Sequence, residues 1–169
     1  NWNALQFGRV GLNRPPELVA VKDVNGDAAA FGAAAKQIAD TSEFNIILMS
    51  EDVDVMKAGV ESAGAKRPLM YGATAANIDA MGALAKDNDL PVGIKAESVD
   101  ALVPLSEKLA GMGLKDLVLD PGSREPKQSN ADMIALRRAA LKDGNRAIGF
   151  PTITFPCEMA SNLDVETML

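Results

Sequence analysis

The sequence predicts a parallel α/β fold, and three observations carry that prediction. A short apolar run followed by a longer segment of helical spacing recurs about every 25 residues along the 169-residue chain. Each run is too short for a helix and nearly continuous in apolar residues, as in strands of a parallel sheet covered by helices. Several runs end on a polar or small residue, always at the carboxyl end, where barrels of alternating strands and helices bind their ligands. Together these specify a (β/α)8 TIM barrel, represented by about six βα units and therefore incomplete.

The expected strands, in order, are Leu18-Val-Ala-Val-Lys-Asp23, Asn45-Ile-Ile-Leu-Met-Ser50, Pro68-Leu-Met-Tyr-Gly-Ala73, Pro91-Val-Gly-Ile-Lys-Ala96, Asp116-Leu-Val-Leu-Asp120 and Ala147-Ile-Gly-Phe-Pro151. Right-handed crossovers make them parallel neighbours in sequential order. The expected helices span Asp27–Asp40, Val53–Ala63, Ala75–Asn88, Val99–Met112 and Ala131–Lys142, with a last one from about Ser161. Ser98 can cap the fourth, and Asn130 or Ser129 the fifth. Gly113 and Gly144 fall just past helix ends, where a left-handed residue turns the chain into the next element. Ala, Leu and Met line one stripe of each helix, and the methionines read as core filler.

Composition bounds the function. The net charge is −6, 47% of residues are hydrophobic, and the mean hydropathy is +0.02 with a sequence pI of about 4.7. These values describe a globular domain with ample core material. No basic stripe is present to displace counterions from phosphates, so nucleic acid is not expected as a partner. No apolar stretch approaches a membrane span and the start lacks a signal-peptide pattern, so no membrane contact and a cytoplasmic location are expected. Cys157 is the single cysteine and there is no histidine, which removes CxxC motifs, internal disulfides and imidazole chemistry. A closed barrel takes about 250 residues, so residues 1–169 read as a barrel fragment of something larger.

Most candidate motifs dissolve on inspection. Asp23-Val-Asn25-Gly-Asp27 begins like a calcium loop, but its glycine is misplaced and no glutamate closes it, so it reads as a tight Asn-Gly turn. Gly111-Met-Gly113 follows a helix and has Asp116 where a dinucleotide fingerprint needs glycine, so it reads as a C-cap. Cys157 lacks a base to activate it. Arg137-Arg138 reads as the solvated face of a helix.

What survives is a set of polar groups at strand ends: Lys22, Asp23, Ser50 with Glu51 and Asp52, Lys95, and Asp120 followed by Pro121-Gly122. Side chains there converge on the barrel mouth, and a glycine turn leaves backbone N–H groups facing a ligand. Lys22, Asp23, Ser50, Lys95, Asp120 and Gly122 are therefore the candidate cofactor-binding residues, against the alternative that they form ion pairs tying loops together. No catalytic residue and no metal ligand is assigned.

Ordered blocks along the chain carry a resemblance: Val10-Gly-Leu-Asn, Leu18-Val-Ala-Val-Lys-Asp, Ile47-Leu-Met-Ser, Pro68-Leu-Met-Tyr-Gly-Ala-Thr, Asp116-Leu-Val-Leu-Asp-Pro-Gly-Ser-Arg, Arg137-Arg-Ala-Ala and Gly149-Phe-Pro-Thr-Ile-Thr-Phe-Pro-Cys-Glu. The chain resembles the central barrel domain of the large (gamma) subunit of the corrinoid/iron–sulfur protein of the acetyl-CoA synthase/decarbonylase (CO dehydrogenase) system. The resemblance implies a three-part subunit with an N-terminal [4Fe–4S] domain and a C-terminal corrinoid domain, neither present here. It implies a methyl carrier that takes a methyl group from methyl-tetrahydropterin through a methyltransferase and delivers it to acetyl-CoA synthase. The settings it implies are the reductive acetyl-CoA (Wood–Ljungdahl) pathway and methanogenesis in anaerobes. The implied partners are the small subunit, the pterin-dependent methyltransferase and acetyl-CoA synthase. No cofactor is expected in this chain itself, which would serve as scaffold. The competing resemblance is to pterin-binding barrel methyltransferases of the dihydropteroate-synthase kind, in which an Asp at Asp120's position hydrogen-bonds the pterin.

Overall fold

The computed structural model describes residues 7–9, 11–14, 17–63 and 66–160. A small antiparallel hairpin, β1 (Phe7–Arg9) and β2 (Leu12–Arg14), comes first. Strands β3 (Leu18–Lys22), β4 (Asn45–Met49), β5 (Leu69–Ala73), β6 (Val92–Lys95) and β7 (Leu117–Asp120) then form one parallel sheet in sequential order. Helices α1 (Ala28–Thr41), α2 (Val53–Ala63), α3 (Ile78–Asn88) and α4 (Val99–Gly111) connect them, and α5 (Pro126–Leu141) follows β7. This is an α/β fold with a five-stranded parallel sheet.

Pairing runs straight across the sheet: Lys22 lies beside Met49, Met49 beside Tyr71, and Tyr71 beside Gly93. Because successive side chains of a strand point to opposite faces, Val21, Leu48, Met70, Val92, Ile94, Leu117 and Leu119 point together toward the helices. There they join Phe31, Ala35, Met56, Met81, Ala85, Leu102 and Leu109 in one buried cluster. The other face carries Lys22, Met49, Tyr71, Gly93, Lys95 and Asp120 in adjoining rows.

Local chemistry explains the helix ends. The Asp27 carboxylate accepts from the Ala29 and Ala30 N–H groups at the start of α1, and Asp52 does the same for Asp54 and Val55 of α2. Ser98 Oγ accepts from Ala101 N–H at 3.2 Å, as its position before α4 predicted. Gly113 and Gly144 both take positive φ past helix ends. Asp23 Oδ1 accepts from the Asn25 and Gly26 N–H groups, giving the tight turn read from Asn25-Gly26. Arg137 and Arg138 are exposed on α5.

Two expectations need correction. Helix α5 starts at Pro126, five residues before the expected Ala131, with Glu125 rather than Asn130 or Ser129 at the N-cap, and Ser129 is buried. Proline suits the first helical position because its missing N–H has no intrahelical partner there. The sixth run, Ala147–Pro151, is not a full strand. Residues Arg146–Ile148 form a 3₁₀ turn capped by the Asn145 side chain on Ala147 N–H, and the Ser106 hydroxyl donates to the Ala147 carbonyl. Pairing shrinks to one parallel bridge, Leu119 with Thr152, held by Leu119 N–H to Pro151 O at 2.8 Å and Ile153 N–H to Leu119 O at 3.0 Å. It is parallel and next to β7, as expected, but begins only where the run ends. A short helix, α6 (Pro156–Met159), follows unpredicted. The helix expected from about Ser161 lies outside the described residues.

Candidate functional site

The carboxyl ends of the parallel strands surround a cavity of about 280 Å³, lined by Lys22, Asp23, Met49, Ser50, Glu51, Tyr71, Gly72, Lys95, Arg124 and Glu158. Every strand of the sheet places a residue at or beside it, because the register aligns their ends. The loop backbones approach closely. Gly72 has φ of +126°, and a β-carbon there would come within 2.2 Å of the Ser50 carbonyl oxygen. Gly122 has φ of +81°, and a β-carbon there would come as near to the Ala96 carbonyl oxygen. Only glycine fits either position.

Asp120 is the buried centre, 1% exposed. Arg124 grips it with both terminal nitrogens, Nη1 to Oδ1 at 3.1 Å and Nη2 to Oδ2 at 2.8 Å. The Gly122 N–H donates to Oδ1 at 2.8 Å, and the Tyr71 hydroxyl donates to Oδ2. Burial, and then the bond to Asp120, push the Tyr71 phenol well above its ordinary value, so it stays protonated and donating. The Arg124 guanidinium is likewise raised, first by Asp120. A bidentate arginine and two further donors leave this carboxylate little capacity for a ligand.

The remaining candidates are paired as well. Asp23 Oδ2 accepts from the Ser50 hydroxyl at 3.0 Å, and Ser50 Oγ accepts from Asp52 N–H at 3.1 Å. Lys95 Nζ donates to Glu51 Oε1 at 2.6 Å. Lys22 Nζ donates to Glu158 Oε1 at 3.2 Å, while Arg124 Nε donates to Glu158 Oε2 at 2.6 Å. Burial pushes the Glu158 carboxyl up, but the bonds from Arg124 and Lys22 outweigh it and hold the group below its ordinary value. The Phe155 ring meets Tyr71 edge-on at 5.1 Å, and the Arg124 guanidinium sits 5.0 Å from the Phe155 ring centre.

The structure thus brings Lys22, Asp23, Ser50, Lys95, Asp120 and Gly122 to one mouth, where Glu158, Arg124 and Tyr71 link Lys22 to Asp120 and Gly122, while Asp23 with Ser50 and Lys95 with Glu51 form separate pairs. Tyr71, Arg124 and Glu158 were not among the sequence candidates. Arg124 stands four residues after Asp120 across a Pro-Gly turn, a spacing that could have flagged an ion pair. Tyr71 was marked only by being the chain's one tyrosine, placed near a strand end. Nothing local marked Glu158, which reaches the mouth from 38 residues beyond Asp120.

Among the described residues, no group of three His, Cys, Asp or Glu side chains is placed to hold a metal ion. Among them also, no helix is long and apolar enough to cross a membrane. Cys157 is an exposed free thiol.

A polar strand-end mouth on a parallel sheet covered by helices defines a broad class of α/β domains, and comparison with known proteins narrows it. Residues 4–168 match the family described as CO dehydrogenase/acetyl-CoA synthase delta subunit, and the chain belongs to that family. It is 39% identical over 151 residues to the corrinoid/iron-sulfur protein large subunit of Moorella thermoacetica, covering 89% of this chain and 34% of that protein. It is 34% identical over 152 residues to subunit gamma 2 of the acetyl-CoA decarbonylase/synthase complex of Methanosarcina mazei, covering 87% and 32%. It is 35% identical over 158 residues to the corresponding gamma subunit of Methanopyrus kandleri, covering 89% and 34%. The family resemblance read from the blocks is borne out. The chain spans about a third of the length of these relatives.

Proposed function

We propose that residues 1–169 are the barrel scaffold of a corrinoid/iron–sulfur methyl carrier, part of a (β/α)8 barrel whose other strands lie elsewhere in the longer protein. In this reading the full protein moves a methyl group from methyl-tetrahydropterin, through a separate methyltransferase, to acetyl-CoA synthase. The small subunit docks on it as a heterodimer partner, and the cytoplasm is its location. The names of the relatives, a corrinoid/iron-sulfur large subunit and gamma subunits of acetyl-CoA decarbonylase/synthase, support it.

The redox groups belong, in this reading, to other segments. A [4Fe–4S] cluster takes four thiolates, and the chain supplies one cysteine, so the residues in hand do not fit it. The mouth cavity of about 280 Å³ falls below the range of drug-sized ligand pockets and cannot enclose a corrin macrocycle. No step of the chemistry is routed through these residues, whose work is to hold shape.

The observation that carries the scaffold reading over the pterin-enzyme reading is the state of Asp120. A pterin site needs that carboxylate open to the ring; here Arg124, Tyr71 and the Gly122 N–H occupy it. The test is Asp120→Ala in the full heterodimer, reading melting temperature and methyl transfer together. Removing one partner of a largely buried ion pair is expected to cost about 2–4 kcal/mol of stability, with transfer kept within a few-fold of normal. A stable variant that has lost transfer would favour the pterin enzyme instead.

A further inference from the structure

Lys22 closes one outermost strand of the five-stranded sheet, β3, and Arg124 follows the other, β7. Their side chains nevertheless meet on the two oxygens of a single carboxylate, Lys22 Nζ on Glu158 Oε1 and Arg124 Nε on Glu158 Oε2. Two cationic donors from separate elements converging on one carboxylate is how proteins hold a carboxylate or phosphate ligand. Here the occupant comes from the chain itself.

The segment that supplies it is lightly fastened. From the single bridge at Thr152 the chain passes to α6, one turn long. Among the described residues, and apart from Phe155 against Tyr71 and Arg124, its side-chain ties to the mouth are the two Glu158 ion pairs. Glu158 is 36% exposed and Lys22 63% exposed, and ion pairs so exposed to solvent hold weakly. Arg124 reaches Asp120 through Nη1 and Nη2 and Glu158 through Nε, so the bidentate bonds to Asp120 do not use the donor that Glu158 takes. Displacing Glu158 therefore frees one donor on Arg124 and one on Lys22 without leaving a buried charge unpaired. Both residues already line the cavity beneath, where the other charged groups are Lys95, Asp23 and Glu51, with Lys95 held by Glu51 and Asp23 by Ser50 and its own turn.

We propose that residues 154–159 form a displaceable strap across the mouth, whose Glu158 carboxylate stands in for an external oxyanion, a carboxylate or phosphate, bound between Lys22 and Arg124. Binding of that anion releases the strap and opens the cavity; its departure lets Glu158 close it again. No bond is made or broken beyond hydrogen bonds, and the device does not depend on the methyl-carrier reading.

The experiment uses the full-length protein with inorganic phosphate as probe and sodium chloride at matched ionic strength as control. Glu158→Gln is expected to bind phosphate about three- to ten-fold tighter than wild type, the scale of the exposed ion pairs that no longer compete. Adding Lys22→Gln is expected to return the affinity to the wild-type level. In the wild type, phosphate is expected to speed amide hydrogen exchange in residues 154–160, chloride is not, and Lys22→Gln alone abolishes the response. The wild-type arm decides the matter even if Glu158→Gln folds poorly. Equal exchange with phosphate and chloride, no gain in Glu158→Gln, or a gain that survives loss of Lys22 would each overturn the proposal.

Discussion

The two faces of the sheet are made by the same strands and obey different rules. Toward the helices, Leu48, Met70, Ile94 and Leu119 interlock with helix side chains in a nearly dry layer. On the opposite face, at the carboxyl ends, Lys22, Tyr71 and Asp120 are joined through Glu158 and Arg124 in a polar net around a cavity, with the Lys95–Glu51 pair beside it. Neighbours in sequence, such as Leu119 and Asp120, are both almost fully buried, 0% and 1% exposed, yet for opposite reasons. Leu119 is buried because it gains by leaving water, whereas Asp120 tolerates burial only because donors replace the water it loses. Stability should therefore rest mainly on the helix face, and shape at the mouth on the polar net.

The sharpest way to break the contrast is Leu48→Ala. Leu48 is fully buried, and deleting it is expected to cost about 3–5 kcal/mol in denaturant unfolding, from lost transfer energy plus a cavity. Gly72→Ala attacks the mouth backbone instead. With φ of +126° and a carbonyl oxygen 2.2 Å from the new β-carbon, it is expected to cost about 2–4 kcal/mol and to shift the β5 loop resonances of Gly72 to Asn77.

Acid titration sharpens the comparison further. Glu158 has a folded pKa below its ordinary value of 4.5, so its pairs stabilise the fold fully above that value and their contribution falls away as pH drops through the lower folded pKa. Chemical shifts of Phe155 and Lys22 should change together in that acid window, and Glu158→Gln should remove the transition. The smallest effect is expected from Lys95→Gln, whose ion pair with Glu51 is exposed on both sides. Its unfolding free energy should stay within about 0.5 kcal/mol of wild type.

Five strands were legible to within a residue or so because continuous apolar runs bounded by polar or proline residues admit few other structures. The start of α5 was missed because Asp120-Pro-Gly-Ser-Arg-Glu-Pro126 reads as one long turn, with the helix expected only at the later polar caps. The run Ala147–Pro151 failed as a strand because Asn145 and Ser106 bind Ala147's backbone and bend it into a 3₁₀ turn. Ser106 lies 41 residues away, outside the reach of any local pattern. At the mouth, the strand-end rule found Lys22, Ser50, Lys95 and Asp120 because strand polarity alone puts them there. It could not name their partners, since the same lysine and aspartate ends are compatible with an open ligand site or with mutual pairing.

By itself, then, the sequence determined the parallel α/β order, the helix-facing core and the end of the sheet at which charged groups gather, because period, polarity and turn chemistry act within a few residues. Only the tertiary structure decided that Asp120 belongs to Arg124 and Tyr71, and that one carboxylate at Glu158 joins strands from opposite edges. Those pairings depend on distances between segments far apart in the chain, and distance is what folding creates.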